Sequence, residues 1–180
     1  APAPKTFVYP GEAVETPVVY IPVFPGTNCD YDTAKAFRAA GAEVRTSVLC
    51  NIAGDDVLRS IAEMKEHIRR AHIFVLAGGF SAGDEPDGSA KFIVNVLNNK
   101  DIRDEIHALT DRGGLILGIC NGFQALVKSG LLPYGRLGMV TKESPTLFRN
   151  DVNRHISQIV ATRGATTASP GLRGCRPGEL

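Results

Sequence analysis

The sequence predicts an α/β protein: an open, doubly wound, mostly parallel sheet with helices on both faces. Short apolar or β-branched runs alternate with stretches of helical period from Val18 to about Val127, and no internal repeat interrupts them. Ile73-Phe-Val-Leu76 and Leu115 to Ile119 are apolar without alternation, as expected of buried strands in a parallel sheet. The second of these runs leads through Gly118-Ile-Cys-Asn-Gly122 into the helix-like pattern of Phe123, Ala125, Leu126 and Val127.

Along the chain, Pro2, Pro4, Pro10 and Pro17 crowd residues 1–17, which lack periodicity and read as a linker or extended arm before a domain over 18–180. Val18–Val23 is the first strand, and Pro22 within it calls for an edge position, a bulge or an early strand end. Phe24–Asp30 is a loop in which Asn28 or Asp30 is placed to cap a helix over Tyr31–Ala40, with Ala34, Phe37 and Ala40 or Ala39 inward and Gly41 as the stop. Glu43–Val48 alternates as a second strand. Val57, Leu58, Ile61, Met64 and Ile68 keep the helical period after Asp55-Asp56. Ile73–Leu76, the third strand, runs into the glycine-rich loop Ala77–Asp84. Two helices follow, marked by Phe92, Ile93, Val96 and Leu97 and by Ile102, Ile106 and Leu109. The fourth strand precedes Cys120. Beyond Tyr134 the pattern degrades; His155–Val160 reads as one more strand and the last twenty residues as loop.

Bulk properties exclude several classes. With 43% hydrophobic and 22% charged residues the chain has the means to build a core and is not disordered. A net charge of +1 argues against a general nucleic-acid binder. Basic residues outnumber acids after Tyr134, as suits a solvated face. Cys29, Cys50, Cys120 and Cys175 form no CxxC and pair with no nearby histidine, so neither a zinc site nor a redox motif is indicated. No membrane-length apolar run and no signal-peptide core is present, and a soluble, cytoplasmic protein is expected.

In doubly wound sheets ligands bind at the carboxyl ends of the strands. Phe24–Asp30, Gly78–Asp84 and Gly118–Gly122 therefore share one edge. A cysteine at a strand-to-helix turn, with glycines two residues before and after, has the layout of a nucleophile elbow. The following helix aims its N-terminal amides at the sulfur, a setting that favours thiolate. Acyl transfer by such a group needs donors for the developing oxyanion. The Asn121 amide is one candidate, and Gly78-Gly79-Phe80 is suited to supply the second. Asp84, Glu85 and Asp87 suggest a metal less than they suggest solvated or capping acids, and Gly78–Gly83 lacks the lysine-serine signature of a phosphate loop.

The segments GICNGFQ (118–124), AGGFSAGD (77–84) and FPGTNCDYD (24–32), with SPTLFRN (144–150) and ATTASP (165–170), resemble the class I glutamine amidotransferases with a Cys-His-Glu triad. More narrowly they resemble the glutaminase domain of phosphoribosylformylglycinamidine synthase. The resemblance implies a flavodoxin-like fold and Cys120 as the nucleophile that takes the amide of glutamine to a thioester and frees ammonia. It implies Gly79, Phe80 and Asn121 at the oxyanion, and Gln124 and Gly78 against the substrate. Ammonia would pass to a synthetase domain or subunit, the partner in which ATP and magnesium are expected; no cofactor is expected in this domain, and neither a nucleic acid nor a membrane as partner.

The resemblance also implies a His-x-Glu pair on a later strand, which His67, His72, His107 and His155 do not provide because none has Glu at +2. The pair is expected beyond Leu180, and the chain with Cys120 alone is expected to be weak or inactive. Two other readings stay open: a catalytically silent interaction domain of a larger synthetase, and a peptidase- or glyoxalase-like cysteine hydrolase. The latter group usually carries histidine where Asn121 stands.

Overall fold

The computed structural model describes residues 14–165 together with Ser169, Gly171 and Gly178. Ala13–Arg149 form one compact unit, and Asn150 onward belongs to a second. The first unit runs β1 (Val18–Val23), α1 (Asp30–Ala39), β2 (Glu43–Val48), α2 (Gly54–Arg70), β3 (Ile73–Leu76), a 3-10 turn (Ser81–Gly83), α3 (Lys91–Leu97), α4 (Lys100–Asp111), β4 (Leu115–Gly118), α5 (Asn121–Ser129) and a short α6 (Leu131–Tyr134). The strands are parallel in the order β2-β1-β3-β4. That is the flavodoxin-like order, with its topological switch between β1 and β3.

Alternate strand residues feed two cores. Tyr20, Phe74 and Leu76 point into the larger, closed by Met64 and Ile68 of α2, Ile93 and Leu97 of α3, Ile102, Ile106 and Leu109 of α4, and Ala125 and Leu126 of α5. Burial pushes the Tyr20 phenol well above its ordinary range, and its hydroxyl bonds Ser47 Oγ at 2.7 Å. Val19, Ile21, Val75 and Ala77 face the other way, onto Ala34 and Phe37 of α1. Arg112, just past α4, ties the helical layer together by donating to the carbonyls of Ile68, Arg69 and Ala71 at 2.8–3.1 Å, where α2 ends.

Several expectations change. Pro22 lies in an interior strand, not at an edge. The β1–β2 ladder runs its full length from Val18↔Glu43 to Val23↔Val48, while the β1–β3 ladder stops at Tyr20↔Phe74. The Val18 carbonyl accepts from His72 on the β3 side and the Val23 carbonyl accepts from Leu49 on the β2 side. Residue 22 thus belongs to the β3-facing set, and its missing N–H ends that ladder alone. β4 is not fully buried but forms the edge of the described sheet, and Leu117 is 41% exposed. Leu117 pairs with Val75, on the face where α1 is the sole helical cover among the described residues. On α2, Leu58 is exposed; Ser60, Met64 and Ile68 form the buried stripe. Neither Asn28 nor Asp30 caps α1 by its side chain: Cys29 is the N-cap residue, and Thr33 donates to the Cys29 carbonyl through both N–H (3.1 Å) and Oγ1 (2.6 Å).

In the second unit His155–Val160 forms no strand, and Ile159 is fully exposed. An apolar run becomes a strand only with a neighbour to bond its backbone. There Asn150 Nδ2 donates to the Arg154 carbonyl (2.9 Å), and Asn150 Oδ1 accepts the Val152 N–H (3.1 Å). Residues 1–13 of the expected arm lie outside the described residues, as does most of the expected loop over the last twenty; Val14–Pro17 carry neither helix nor strand.

His107 gives the fold a pH dependence. Its Nε2 accepts the Leu137 N–H at 3.0 Å, and desolvation, then Arg136 and Arg103, hold its pKa below the ordinary 6.5. The unfolded chain therefore takes up this proton before the folded one does, so stability falls as pH drops through 6.5 toward the lower folded value. In His107→Gln the loss of melting temperature between about pH 7.5 and about pH 5.5 is expected to be smaller than in the parent; an equal loss would remove His107 as its source.

Candidate active site

β4 ends at Gly118, and the chain turns through Ile119 and Cys120 into α5. Cys120 has φ 51° and ψ −110°, a conformation that costs a non-glycine residue on the order of 1–3 kcal/mol and persists only where the surroundings impose it. Here the flanking glycines impose it. A Cβ on Gly122 would stand 2.1 Å from the Leu76 carbonyl oxygen, and one on Gly118 would stand 2.7 Å from the Gly122 oxygen. The same Leu76 oxygen receives the Ile119 N–H at 3.0 Å. The first turn of α5 thus rests directly on the end of β3, backbone on backbone. The thiol of Cys120 is free and exposed.

The other two loops meet at this edge. Thr27 and Gly79 form an antiparallel bridge, Asn28 N–H donates to the Gly78 carbonyl (3.2 Å), and Phe80 N–H donates to the Gly26 carbonyl (2.9 Å). Gly79 has φ 147°, and a Cβ there would lie 2.4 Å from the Gly26 oxygen. Gly78 adjoins the elbow, since its own Cβ would stand 3.4 Å from Cys120 Cβ.

The three candidate oxyanion donors differ. The Phe80 amide is spent on Gly26, and its ring is 66% exposed. The Gly79 and Asn121 amides have no acceptor among the described residues. The Asn121 side chain is buried, accepting the Ser81 N–H at Oδ1 (3.2 Å) and donating from Nδ2 to Gln124 Oε1 (3.0 Å). Gln124 is half-buried, and its Nε2 would lie 2.9 Å from a Cβ on Gly88. Its side chain is thus held between Asn121 and the loop that follows β3.

Of the acids read as solvated or capping, Asp84 is the capping one, and Ser81 beside it had no role in the sequence. Asp84 is buried, and its carboxylate accepts the N–H groups of Gly88 and Ala90, both at 2.8 Å. Glu85 and Asp87 are exposed. An Asp followed by a tight, glycine-containing loop is the signal for such a bond. Ser81 is buried, and its Oγ has no partner among the described residues.

Three histidines are occupied elsewhere. His67 stacks on Tyr20 (4.8 Å between ring centroids) and lies 3.5 Å from Glu63. His72 Nδ1 accepts the Val18 N–H (2.9 Å) at the opposite end of the parallel strands, and His107 holds Leu137. Among the described residues no three His, Cys, Asp or Glu side chains gather to hold a metal ion, and no helix is long and apolar enough to cross a membrane.

A parallel flavodoxin-like sheet with a strained cysteine between its fourth strand and the next helix defines the class, the α/β proteins with a cysteine elbow. The chain belongs to the family of CobB/CobQ-like glutamine amidotransferase domains, whose model matches residues 16–176. It is similar to the phosphoribosylformylglycinamidine synthase subunit PurQ of Roseobacter denitrificans, at 35% identity over 157 residues, 87% of this chain and 58% of that protein. The subunit of the same name from Dehalococcoides mccartyi is 38% identical over 109 residues, 61% of this chain and 38% of that protein. A chain in the structure of PurLQS from Thermotoga maritima matches 65% of this chain and 46% of its own length, at 32% identity and a TM-score of 0.46. The chain spans about half the length of the curated relatives it matches.

Proposed function

We propose that the chain is the glutaminase part of a phosphoribosylformylglycinamidine synthase and that Cys120 is its nucleophile. The observation that carries this reading is the backbone of Cys120, strained at φ 51° and seated at the start of α5, with the Gly79 and Asn121 amides unengaged among the described residues. Family membership and the names of the relatives support it. Cys120 Sγ attacks the side-chain carboxamide of glutamine, and the Gly79 and Asn121 amides receive the oxyanion. Phe80 shapes the loop through its bond to Gly26 and lends no amide. Collapse of the tetrahedral intermediate expels ammonia and leaves a γ-glutamyl thioester, which water cleaves. Gln124 and Gly78 border the substrate, Gln124 held by Asn121.

In this reading ammonia goes to a synthetase partner in the cytoplasm. ATP and magnesium belong to that partner, which turns formylglycinamide ribonucleotide into its amidine; no step in this chain runs through either. Proton transfer at Cys120 calls for a general base, and His67, His72 and His107 are engaged elsewhere. The 180-residue chain is therefore expected to bind glutamine weakly and turn it over poorly, far below the typical range of about 1–1000 per second, while Cys120 still takes an electrophile. A glutamine-mimicking diazoketone followed by peptide mass mapping tests the nucleophile. The label is expected on Cys120; a label on Cys29 or Cys50 would overturn the assignment, and glutamine turnover within the typical range would overturn the expectation of poor turnover.

A further inference from the structure

The elbow cysteine has a second thiol for a neighbour. β3 lies between β1 and β4, and adjacent strands stand about 4.8 Å apart. The residues that follow β1 and β4 would ordinarily be separated by a side chain at the end of β3. Here that residue is Gly78. The point where its Cβ would stand is 3.4 Å from Cys120 Cβ and 3.5 Å from Cys29 Sγ. Both cysteines are free and exposed. The Cys29 loop is pinned to β3 by the bond from Asn28 N–H to the Gly78 carbonyl, so the shared gap is a fixed feature of the edge. Cys50, by contrast, follows β2, on the far side of β1.

We propose that Cys29 is the resolving thiol for Cys120, and that a peroxide converts the pair to a reversible disulfide that shuts the nucleophile off. The thiolate of Cys120 attacks one oxygen of hydrogen peroxide, the O–O bond breaks, and the other oxygen leaves as hydroxide, which takes a solvent proton to become water, giving a sulfenic acid. Cys29 then attacks that sulfur; the S–O bond breaks, the S–S bond forms, and the Cys29 proton leaves with the hydroxyl as a second water. The two sulfurs supply the two electrons that reduce the peroxide, and a dithiol returns them. Rotamer changes of exposed side chains take picoseconds to nanoseconds, so both sulfurs visit the gap that Gly78 leaves open. The disulfide rests on this geometry alone; its effect on glutamine hydrolysis rests on the function proposed above.

The test is peptide mass mapping of the chain after hydrogen peroxide, without reductant. The Cys29 and Cys120 peptides are expected joined, two hydrogens lighter than their sum, and separated again by dithiothreitol. Gly78→Ala places a methyl group in the gap at ordinary contact distances, 3.4–3.7 Å from its three nearest neighbours; it is expected to fold and to lose most of the cross-link. In Cys29→Ser, Cys120 is expected to advance to sulfinic acid. Sulfinic Cys120 beside untouched Cys29 in the parent, a bridge to Cys50 or Cys175, or undiminished cross-linking in Gly78→Ala would each overturn the proposal. Oxidised protein should also refuse the diazoketone and accept it after dithiothreitol. A disulfide in a protein whose reduced form takes no label would support the thiol pair and remove the glutaminase reading.

Discussion

Gly122→Ala is expected to destroy the elbow and to cost more stability than any other single methyl group added at the candidate site. A Cβ on Gly122 would lie 2.1 Å from the Leu76 carbonyl oxygen, 2.6 Å from the Leu76 carbonyl carbon and 2.7 Å from Leu76 Cβ. None of these is the movable end of a long side chain. Relief requires lifting α5 off β3, which breaks the Ile119–Leu76 bond and opens the packing of Ala125 and Leu126. Overpacking against backbone belongs with the largest single-residue effects, about 4 kcal/mol or more. That corresponds to a fall in melting temperature of about 8–16 °C for a domain of this size. Thermal unfolding by circular dichroism measures it, and diazoketone labelling of Cys120 in the same sample reports the elbow itself. A variant that melts within a degree or two of the parent and labels at the parent rate would show that the turn tolerates a side chain.

The glycines explain why so much of this edge was legible in sequence. Contacts between the loops are made by backbone: Thr27 with Gly79, Asn28 with Gly78, Phe80 with Gly26, Ile119 with Leu76. Close approach of backbone demands glycine, and glycines at Gly118, Gly122, Gly78 and Gly79 are visible without coordinates. The strands were legible for a similar reason, since apolar runs such as Ile73–Leu76 are bounded by polar residues and glycines. What stayed hidden depends on which neighbour a residue receives. Pro22 is tolerated in an interior strand because residue 22 faces β3, where the β1–β3 ladder goes no further than Tyr20, and which side it faces depends on the strand order. Leu117 is apolar yet 41% exposed because, among the described residues, α1 packs on β1 and β2 and leaves β4 at the sheet edge open on that face. Phe80 looked equal to Gly79 as an amide donor until Gly26, more than fifty positions away in the chain, proved to take its hydrogen. The cysteine spacing, with no CxxC, indicated no redox motif, because Cys29 and Cys120 are brought to one edge only by the strand order.

Asp84 is where a polar side chain, not a glycine, holds the loop, and Asp84→Ala is expected to release it. The carboxylate is 5% exposed and receives two backbone N–H groups at 2.8 Å, from Gly88 and from Ala90, which itself sits at φ 47°. Bonds to a charged acceptor are the stronger kind, and removing it leaves buried donors without partners at about 1–3 kcal/mol each. A loss of about 3 kcal/mol, or about 6–12 °C in melting temperature, follows. The consequence reaches the site through Gly88, which stands against Gln124, which in turn accepts from Asn121, whose Oδ1 holds the Ser81 N–H. Loosening the loop should therefore slow diazoketone labelling of Cys120 as well as lower the melting temperature. Asp84→Asn keeps one acceptor oxygen and turns an amide toward the other N–H, so it should recover less than half of the loss. If Asp84→Ala melted like the parent, the two N–H groups would have found water, and the carboxylate would be a bystander. If it melted low but labelled at the parent rate, the link from Asp84 through Gln124 to Cys120 would be broken at Gly88.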